Sequence, residues 1–495
     1  MEEYRKKISG LLQGKDRMLI GGEWVKSESG RSFSTYDPAT EEKLCDVPLA
    51  TERDVSRAVE AAQQAFTSWR CVDPFERAKK VSALANLLRQ HAEDFALLDA
   101  VDSGNPVTAM KGDVLMAAAI MDYFAGLAGE LKGEVLPGQP GMLHTVFSEP
   151  YGVVVRIIPF NHPIFFAACK IAAPLVAGNT VILKPAEQTP LSALEMGRYV
   201  QEVFPPGVVN IVTGDGPVTG TALVKHPKTK RIALTGGVDT GRAVLRLAAE
   251  GGIKHVTLEL GGKNPMIVFP DAEIDKAVES AVVGMNFHWC QGQSCGSTSR
   301  LFLHESIHDE FLDKVIRRIG TIRIGQPLDP ATEMGCLVSA EQYQKVLRYV
   351  GYGKEEGARL VAGGERPKGE AFQRGYFLQP TVFDKVTMEM RIAREEIFGP
   401  VLSVLTWNDS EAVIQQANAV DYGLTASIWT SDLAKALKAA ERLEAGYIWI
   451  NGSSRHFLGV PFGGYKQSGI GREESVEELL SYVQTKAVNT ALTGN

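Results

Sequence analysis

The sequence of 495 residues contains only six cysteines, and no two of them are spaced as C-x-x-C. This absence argues against a structural zinc site and against the disulfide framework of a small secreted domain. The opening stretch MEEYRKKISG also lacks the apolar core of a signal peptide. We therefore expect a reducing, cytoplasmic location and no bound metal.

Long apolar runs and an excess of basic residues are missing as well. No uninterrupted apolar stretch reaches the roughly 18 residues of a membrane-spanning helix, so no membrane association is predicted. The formal net charge is −7, whereas nucleic-acid-binding proteins present a basic surface to the phosphates. Because 44% of the residues are hydrophobic and 22% are charged, as in ordinary globular proteins, we expect about two to four folded domains.

The regular part of the pattern begins near residue 150, where strands and helices alternate. Five apolar strands are separated by helical segments, and they are GVVVRIIPF, TVILKP, VVNIVTG, RIALTGG and HVTLELGG. Strands that are apolar on both faces are typical of a parallel sheet covered on both sides. The pattern predicts an α/β fold with a Rossmann-like sheet, whose ligands bind at the carboxyl ends of the strands. A second alternating region after residue 261 predicts a second α/β domain.

Three motifs follow these strands directly. In KPAEQTP, Lys184 and Glu187 could bind the hydroxyls of a nucleotide ribose, although an acidic residue also stabilises a helix start. Glu187 would repel a 2′-phosphate, which favours NAD over NADP. The turns TGDGPVTG and TGGVDTG could bring backbone N–H groups to a pyrophosphate, but glycine equally serves an ordinary tight turn.

Three single residues could carry chemistry. Cys295, in GQSCGSTSR, is either a nucleophile or a small packed side chain. Glu259 ends the strand HVTLEL beside two glycines, where a solvated surface charge is the alternative. Asn161, in PFNHP, either makes a turn or directs its amide at a developing oxyanion. None of these residues decides the function alone.

Taken together, the segments resemble the aldehyde dehydrogenase superfamily, in its NAD(P)-dependent hydrolytic form. The resemblance runs from LIGGEWV to YVQTKAV and rests on seven motifs in order: PFNHP, KPAEQTP, LTGGVDTG, LELGGKNP, GQSC, EEIFGPV and PFGGYKQSGIGRE. It implies an enzyme that oxidises an aldehyde with NAD and forms a homodimer or homotetramer. The implied domains are an NAD-binding domain (1–128 and 150–260), a catalytic domain (261–479) and a small β oligomerisation arm (129–149 and 480–495).

The resemblance also implies a role for each site residue. Cys295 would attack the aldehyde carbon, Glu259 would be the general base, and Asn161 would hold the oxyanion with the backbone N–H of Cys295. Lys170 and Glu473 would form a proton relay behind Glu259. The implied cofactor contacts are Ile157, Pro159, Phe160, Lys184, Glu187, Gly216, Gly220, Thr235, Gly236, Gly237, Thr240, Leu260, Glu396 and Phe398.

We expect the substrate pocket in the loops around Cys295. A medium-sized, aromatic aldehyde gripped by aromatic side chains is one hypothesis. A semialdehyde whose carboxylate pairs with Arg455 is another, against a solvated or structurally paired arginine. The predicted lining residues are Met116, Trp289, Ser454, Arg455, Phe457 and Phe462.

The sequence departs from the family pattern at two places. Gly237 and Val238 stand where the family commonly has Ser or Thr, so backbone N–H groups would have to bind the pyrophosphate. The segment MNFHWCQGQSC is slightly longer than usual, which leaves open its path and whether Cys290 merely packs or can form a disulfide with Cys295.

Three rival functions follow from the same residues. They are a CoA-acylating aldehyde dehydrogenase, a non-catalytic NAD-binding protein on this scaffold, and a thioesterase or esterase that uses Cys295. The presence of Cys295, Glu259 and Asn161 favours hydrolytic aldehyde oxidation.

Overall fold

The computed structural model describes residues 2–492. Met1 and residues 493–495, the end of the predicted arm, lie outside the described residues. The helices α1 to α17 are Glu2–Leu11, Glu52–Trp69, Pro74–Gln90, Ala92–Ser103, Val107–Gly126, Pro163–Val176, Leu191–Val203, Thr221–Lys225, Val238–Glu250, Ile274–Gly284, Phe287–Cys290, His308–Ile319, Ala340–Glu355, Arg391–Arg394, Ser410–Asn418, Leu433–Arg442 and Val476–Leu480.

The strands are mostly short. In chain order, β1 to β22 are Met18–Ile20, Glu23–Val25, Ser32–Tyr36, Lys43–Pro48, Glu134–Leu136, Met142–Pro150, Val153–Ile157, Thr180–Lys184, Val209–Ile211, Thr229–Thr235, His255–Glu259, Pro265–Val268, Arg300–His304, Arg359–Ala362, Thr381–Asp384, Val401–Trp407, Tyr422–Gly423, Thr425–Trp429, Tyr447–Ile450, Tyr465–Lys466, Gly469–Ile470 and Val483–Ala491.

The first sheet has eight strands in the order β2-β1-β9-β8-β7-β10-β11-β21. Its five central strands, β9-β8-β7-β10-β11, are all parallel to one another. Strands β7, β8 and β9 are almost fully buried because their side chains are apolar on both faces. Strand order reverses between β7 and β10, and such a switch point opens a ligand crevice at the carboxyl ends. The predicted Rossmann-like sheet is therefore confirmed.

The second sheet has seven strands in the order β14-β15-β16-β13-β12-β18-β19. All of its pairings are parallel except β14 with β15. Separate apolar cores cover its two faces, with α10 and α12 on one side and α13, α15 and α16 on the other. This arrangement confirms the predicted second α/β unit.

A third, small sheet has the order β22-β6-β5. Its strands come from the two segments predicted to form the oligomerisation arm. Within the segment predicted to be the catalytic domain, the part after β20 returns to the first sheet: strand β21 pairs with β11, and Leu479 lies in the core beside that sheet. The domain division itself stays a prediction.

One apolar helix stands out by its length. Val107–Glu130 is long and apolar enough to cross a membrane by length and composition alone. The rule of an uninterrupted apolar run misses it because Lys111, Asp113 and Asp122 break the run. In the structure, α5 contacts α3, α4 and α6, and its apolar side chains lie in the core of the first domain.

Candidate active site

Two cavities meet at Cys295. The larger one, of ≈ 690 Å³, opens at the carboxyl ends of β7, β8 and β10 and is called the cofactor cleft below. The smaller one, of ≈ 60 Å³, lies on the other side of the cysteine and is called the aldehyde cavity. Cys295, Glu259 and Asn161 line both cavities. The three residues predicted to do the chemistry therefore lie where a cofactor and a substrate could meet.

The loop that carries Cys295 is held from two sides. Before it, the one-turn helix α11 is flanked by Asn286 and Gln291, both with left-handed backbone (φ 55° and 54°), which defines the path of the lengthened segment. Behind it, the Asn264 amide donates a hydrogen bond of 2.7 Å to the Cys295 carbonyl. Asn264 also accepts a hydrogen bond of 3.0 Å from the Thr425 backbone N–H. These contacts fix the thiol between the two cavities.

Glu259 ends β11 with 4% of its surface exposed. Its carboxyl lies beside the Cys295 thiol at the junction of the two cavities, and burial together with the negative charge of Glu473 raises the pKa of Glu259 to about 8. Burial and the nearby Glu259 likewise raise the pKa of the thiol well above its usual value. Within residues 2–492, Oε1 of Glu259 has no hydrogen-bond partner, so it is free to bind a water molecule.

Asn161 follows β7 in the loop PFNHP and is 4% exposed. The Asn105 amide donates a hydrogen bond of 2.8 Å to the Asn161 carbonyl and so fixes its backbone. Its own side-chain oxygen finds no hydrogen-bond partner in the described part of the chain. The Asn161 side chain is thus buried at the junction of the two cavities, with its amide oxygen unpaired.

Lys170 and Glu473, predicted to form a relay, both line the aldehyde cavity beside Glu259. Lys170 Nζ lies 2.7 Å from one Glu473 oxygen, and the Arg156 guanidinium lies 3.1 Å from the other. Although burial opposes ionisation, the charges of Lys170 and Arg156 lower the pKa of Glu473 to about 2. Glu473 is therefore held as an anion, and this anion keeps Glu259 protonated up to a higher pH.

The cofactor cleft contains every predicted cofactor residue except Leu260. That prediction is wrong for its side chain, which packs in an apolar core with Leu258 and Val244. The backbone N–H of Leu260 donates to the Ser468 carbonyl at 2.9 Å. Because side chains alternate near a strand end, Glu259 and Leu260 point in opposite directions.

The two ends of the cleft differ in character. At one end, Lys184 Nζ lies 3.8 Å from Glu187, a cation and an anion at a strand end. At the other, Glu396 accepts a hydrogen bond of 2.9 Å from the Gly262 backbone N–H, and the Phe160 and Phe398 rings stand edge to face. Between them, Gly236 and Gly237 expose the N-terminal end of α9, which favours an anion.

These features fit a dinucleotide: ribose contacts at both ends and a phosphate site in the middle. Sequence reasoning missed several further lining residues, among them Arg246, Gln342 and Lys345. Within residues 2–492, no group of three or more His, Cys, Asp or Glu side chains could hold a metal ion.

The aldehyde cavity matches the prediction less well. Met116, Trp289, Ser454 and Phe462 line it, whereas Arg455 and Phe457 line neither cavity. The Arg455 guanidinium instead lies 5.1 Å from the centre of the exposed Phe457 ring. Arg455 and Phe457 are both exposed, whereas Ser454 and His456 line the cavity. The predicted grip by Phe457 and the carboxylate contact of Arg455 have no support in this arrangement and stay predictions.

A buried polar cluster, also missed, forms one wall of the cavity. His162 Nδ1 lies 2.8 Å from one Asp113 oxygen, and the Trp289 indole donates to the other at 2.8 Å. Burial opposes protonation of His162, but Asp113 raises its pKa to about 10. Cys290 contacts His162, is fully buried and lines neither cavity, which favours packing as its role. The other unpredicted lining residues include Phe165, Phe166, Asn286, Trp449, His456 and Glu474.

The sequence is similar to one known protein family and to named proteins from several organisms. The profile described as "Aldehyde dehydrogenase family" matches residues 24–488. The aldehyde dehydrogenase tropH of Talaromyces stipitatus is 47% identical over 484 residues, covering 96% of this chain and 93% of that protein. Retinaldehyde dehydrogenase 3 of Mus musculus is 43% identical over 481 residues, with coverage of 96% and 93%.

Solved structures show the same similarity. An NAD⁺ complex of an aldehyde dehydrogenase from Bacillus cereus superposes with a TM-score of 0.94 at 41% identity, covering 98% of this chain and 99% of that one. Betaine aldehyde dehydrogenase from Staphylococcus aureus, in complex with NAD⁺, gives a TM-score of 0.96 at 35% identity, covering 100% and 99%.

Proposed function

The chain belongs to the aldehyde dehydrogenase family, and from this premise we propose that it oxidises an aldehyde to the carboxylic acid with NAD as hydride acceptor. The observation that carries the proposal is the position of Cys295 between two cavities, with Glu259 and Asn161 beside it. The NAD⁺ complexes of the two similar bacterial enzymes support the choice of cofactor.

Bond formation begins at Cys295. Glu259 takes the thiol proton, and the sulfur attacks the aldehyde carbon to form a thiohemiacetal. The Asn161 amide and the Cys295 backbone N–H stabilise the oxyanion, and one such donor is typically worth about 10²–10³ in rate. Asn105 and Asn264 keep the donor and the nucleophile in place.

The cofactor cleft places the second reactant. NAD, when bound there, supplies the hydride acceptor that protein side chains cannot provide. Lys184 and Glu187 would bind the adenosine ribose, and Glu396 and Phe398 would position the nicotinamide half. Because the carboxylate of Glu187 repels a 2′-phosphate, NADP is disfavoured.

Hydrolysis completes the cycle. Loss of hydride leaves a thioester on Cys295, and Glu259 activates the water that cleaves it. A carboxyl whose pKa is raised to about 8 is a better base near neutral pH than an ordinary one. This buried base favours water over CoA as the acyl acceptor, and the uncommitted catalytic groups favour an enzyme over a non-catalytic NAD-binding protein.

The test is NADH absorbance with a panel of aliphatic, aromatic, amino and carboxy aldehydes, with NAD and NADP in parallel. We expect NADH formation that needs both aldehyde and Cys295, and a carboxylic acid as product with or without CoA. An acyl-CoA product would establish the acylating rival. Ester cleavage without any NAD reduction would establish the esterase.

We also propose a cytoplasmic homodimer or homotetramer assembled through the small β sheet. Val135, Leu136 and Phe147 on its strands are 70%, 44% and 49% exposed, and exposed apolar side chains on strands commonly mark an interface. Light scattering would test the assembly. A monomer at micromolar concentration would contradict it.

A further inference from the structure

His456 occupies the aldehyde cavity in a fixed orientation. Its ring lies 4.5 Å from Phe462 and stacks at 5.8 Å on Tyr447. Its Nδ1 lies 2.9 Å and 3.1 Å from the two carboxylate oxygens of Glu474. Glu474 has a φ of 64°, an uncommon conformation for a residue other than glycine. The imidazole is therefore held on three sides.

The second nitrogen of His456 is left for a ligand. Within residues 2–492, Nε2 makes no hydrogen bond, and the side chain is 30% exposed. Several other polar side chains of the cavity already bond to protein groups, among them His162, Lys170, Asn286, Ser454 and Glu473.

The protonation chemistry narrows the kind of group that Nε2 can bind. Because Nδ1 faces a carboxylate, Nδ1 carries a hydrogen, so Nε2 accepts a hydrogen bond when the ring is neutral and donates one when it is charged. A hydroxyl can donate a hydrogen bond to Nε2 of the neutral ring and accept one from Nε2 of the charged ring. A carboxylate fits only the charged ring, and an ammonium only the neutral one. Because the Glu474 carboxylate already lies at Nδ1 of His456, it would repel a second carboxylate beside the ring, which further disfavours an acidic substrate.

The thiol and His456 pack on the same layer of aromatic side chains. Cys295 packs against the cluster of Leu424, Tyr447, Trp449 and Phe462. The His456 ring packs against Tyr447 and Phe462 of that cluster. A substrate whose aldehyde carbon lies at the sulfur would therefore meet aromatic side chains on its way to Nε2, which favours an aromatic aldehyde.

We propose that His456, oriented by Glu474, selects aromatic aldehydes that carry a ring hydroxyl. This inference rests on the proposed function and names its substrate class. The test compares kcat/KM for para-hydroxybenzaldehyde and para-methylbenzaldehyde, which are similar in size. A site built to bond a hydroxyl discriminates strongly against an analogue without one, so we expect a preference of about tenfold or more in the wild type.

Variants then show whether His456 causes the preference for para-hydroxybenzaldehyde over para-methylbenzaldehyde. His456→Phe should reduce the ratio of the two kcat/KM values to about one. His456→Gln, which keeps a hydrogen-bonding group, should retain part of the preference. Leu458→Ala, in the same loop but 53% exposed, is the matched control and should leave it unchanged. A preference that survives His456→Phe, or a wild type without one, overturns the inference. Wild-type enzyme that reduces NAD with no aldehyde at all would instead contradict the proposed function.

Discussion

The cofactor cleft and the aldehyde cavity share four residues at their junction, Asn161, Phe166, Glu259 and Cys295, but are built in different ways. The cleft measures ≈ 690 Å³ and is formed mainly at strand ends and glycine turns of the first sheet, with Glu396 and Phe398 of the second α/β unit at one end. The cavity measures ≈ 60 Å³ and draws its walls from α5, the loop after β7, α11 and the loops that follow β19 and β21. One is shaped largely by backbone, and the other by side chains that meet from distant parts of the chain.

That difference separates what is general in the enzyme from what is particular to it. A dinucleotide needs exposed N–H groups and close approach, which the sheet topology supplies. An aldehyde is recognised by whichever side chains fill the opposite wall. We therefore expect substitutions at the junction to stop the reaction, and substitutions in one cavity to leave the other intact.

The largest effect should come from the nucleophile. Cys295→Ala should lower NADH formation by about 10⁴-fold or more, because the thiohemiacetal cannot form. NAD affinity, measured by titration calorimetry, should change by less than about twofold, within RT of the wild-type binding free energy. A Cys295→Ala protein that still oxidised aldehydes at the wild-type rate would remove the basis of the proposed mechanism.

The general base should show itself in the pH profile. Since Glu259 acts when deprotonated and its pKa is raised to about 8, kcat should be low below that pH and rise through it. Glu259→Gln should abolish this inflection and lower kcat by about 10²–10⁴-fold. An inflection that persists unchanged in the Gln variant would assign it to another group.

A smaller effect should appear at the far end of the cleft. Glu187→Gln removes the carboxylate that repels a 2′-phosphate and should raise kcat/KM for NADP relative to NAD by about tenfold. The preference among aldehydes should not move. Glu202→Gln, an exposed position outside the cleft, is the control; an equal change there would mean that overall charge, and not the ribose site, sets the preference.

The smallest effect should be at Arg455, which the sequence predicts in the pocket and the structure places outside it. Arg455→Ala should leave the relative kcat/KM for acidic and neutral aldehydes unchanged. If Arg455→Ala lowered kcat/KM for the acidic aldehydes alone, the outward orientation of this side chain would not hold in the substrate complex.

The fold class, the family and the cleft could be predicted from sequence because each depends on a local pattern. Apolar runs predict buried strands. If these strands are parallel, the motifs that follow them lie together at the carboxyl edge of the sheet. The prediction for Leu260 differs from the structure for a local reason too. Successive side chains near a strand end point in opposite directions, and the neighbouring Glu259 faces the site.

The aldehyde cavity could be predicted only in part because its contacts are long-range. No pattern near Asp113 in the sequence predicts that its carboxylate contacts both His162 and Trp289. Glu474 contacts His456 only because β20, β21 and the turn after them fold back.

Strand β21 has a consequence for how the molecule is made. The first sheet begins at residue 18 but receives its last strand from residues 469–470, through the pairing of Gly469 with Glu259. The Glu473 carboxylate that neutralises Lys170 and Arg156 arrives with the same segment. Two buried cations therefore meet their anion only when a segment more than 300 residues further along the chain folds back onto the first sheet. Such distant closure slows folding.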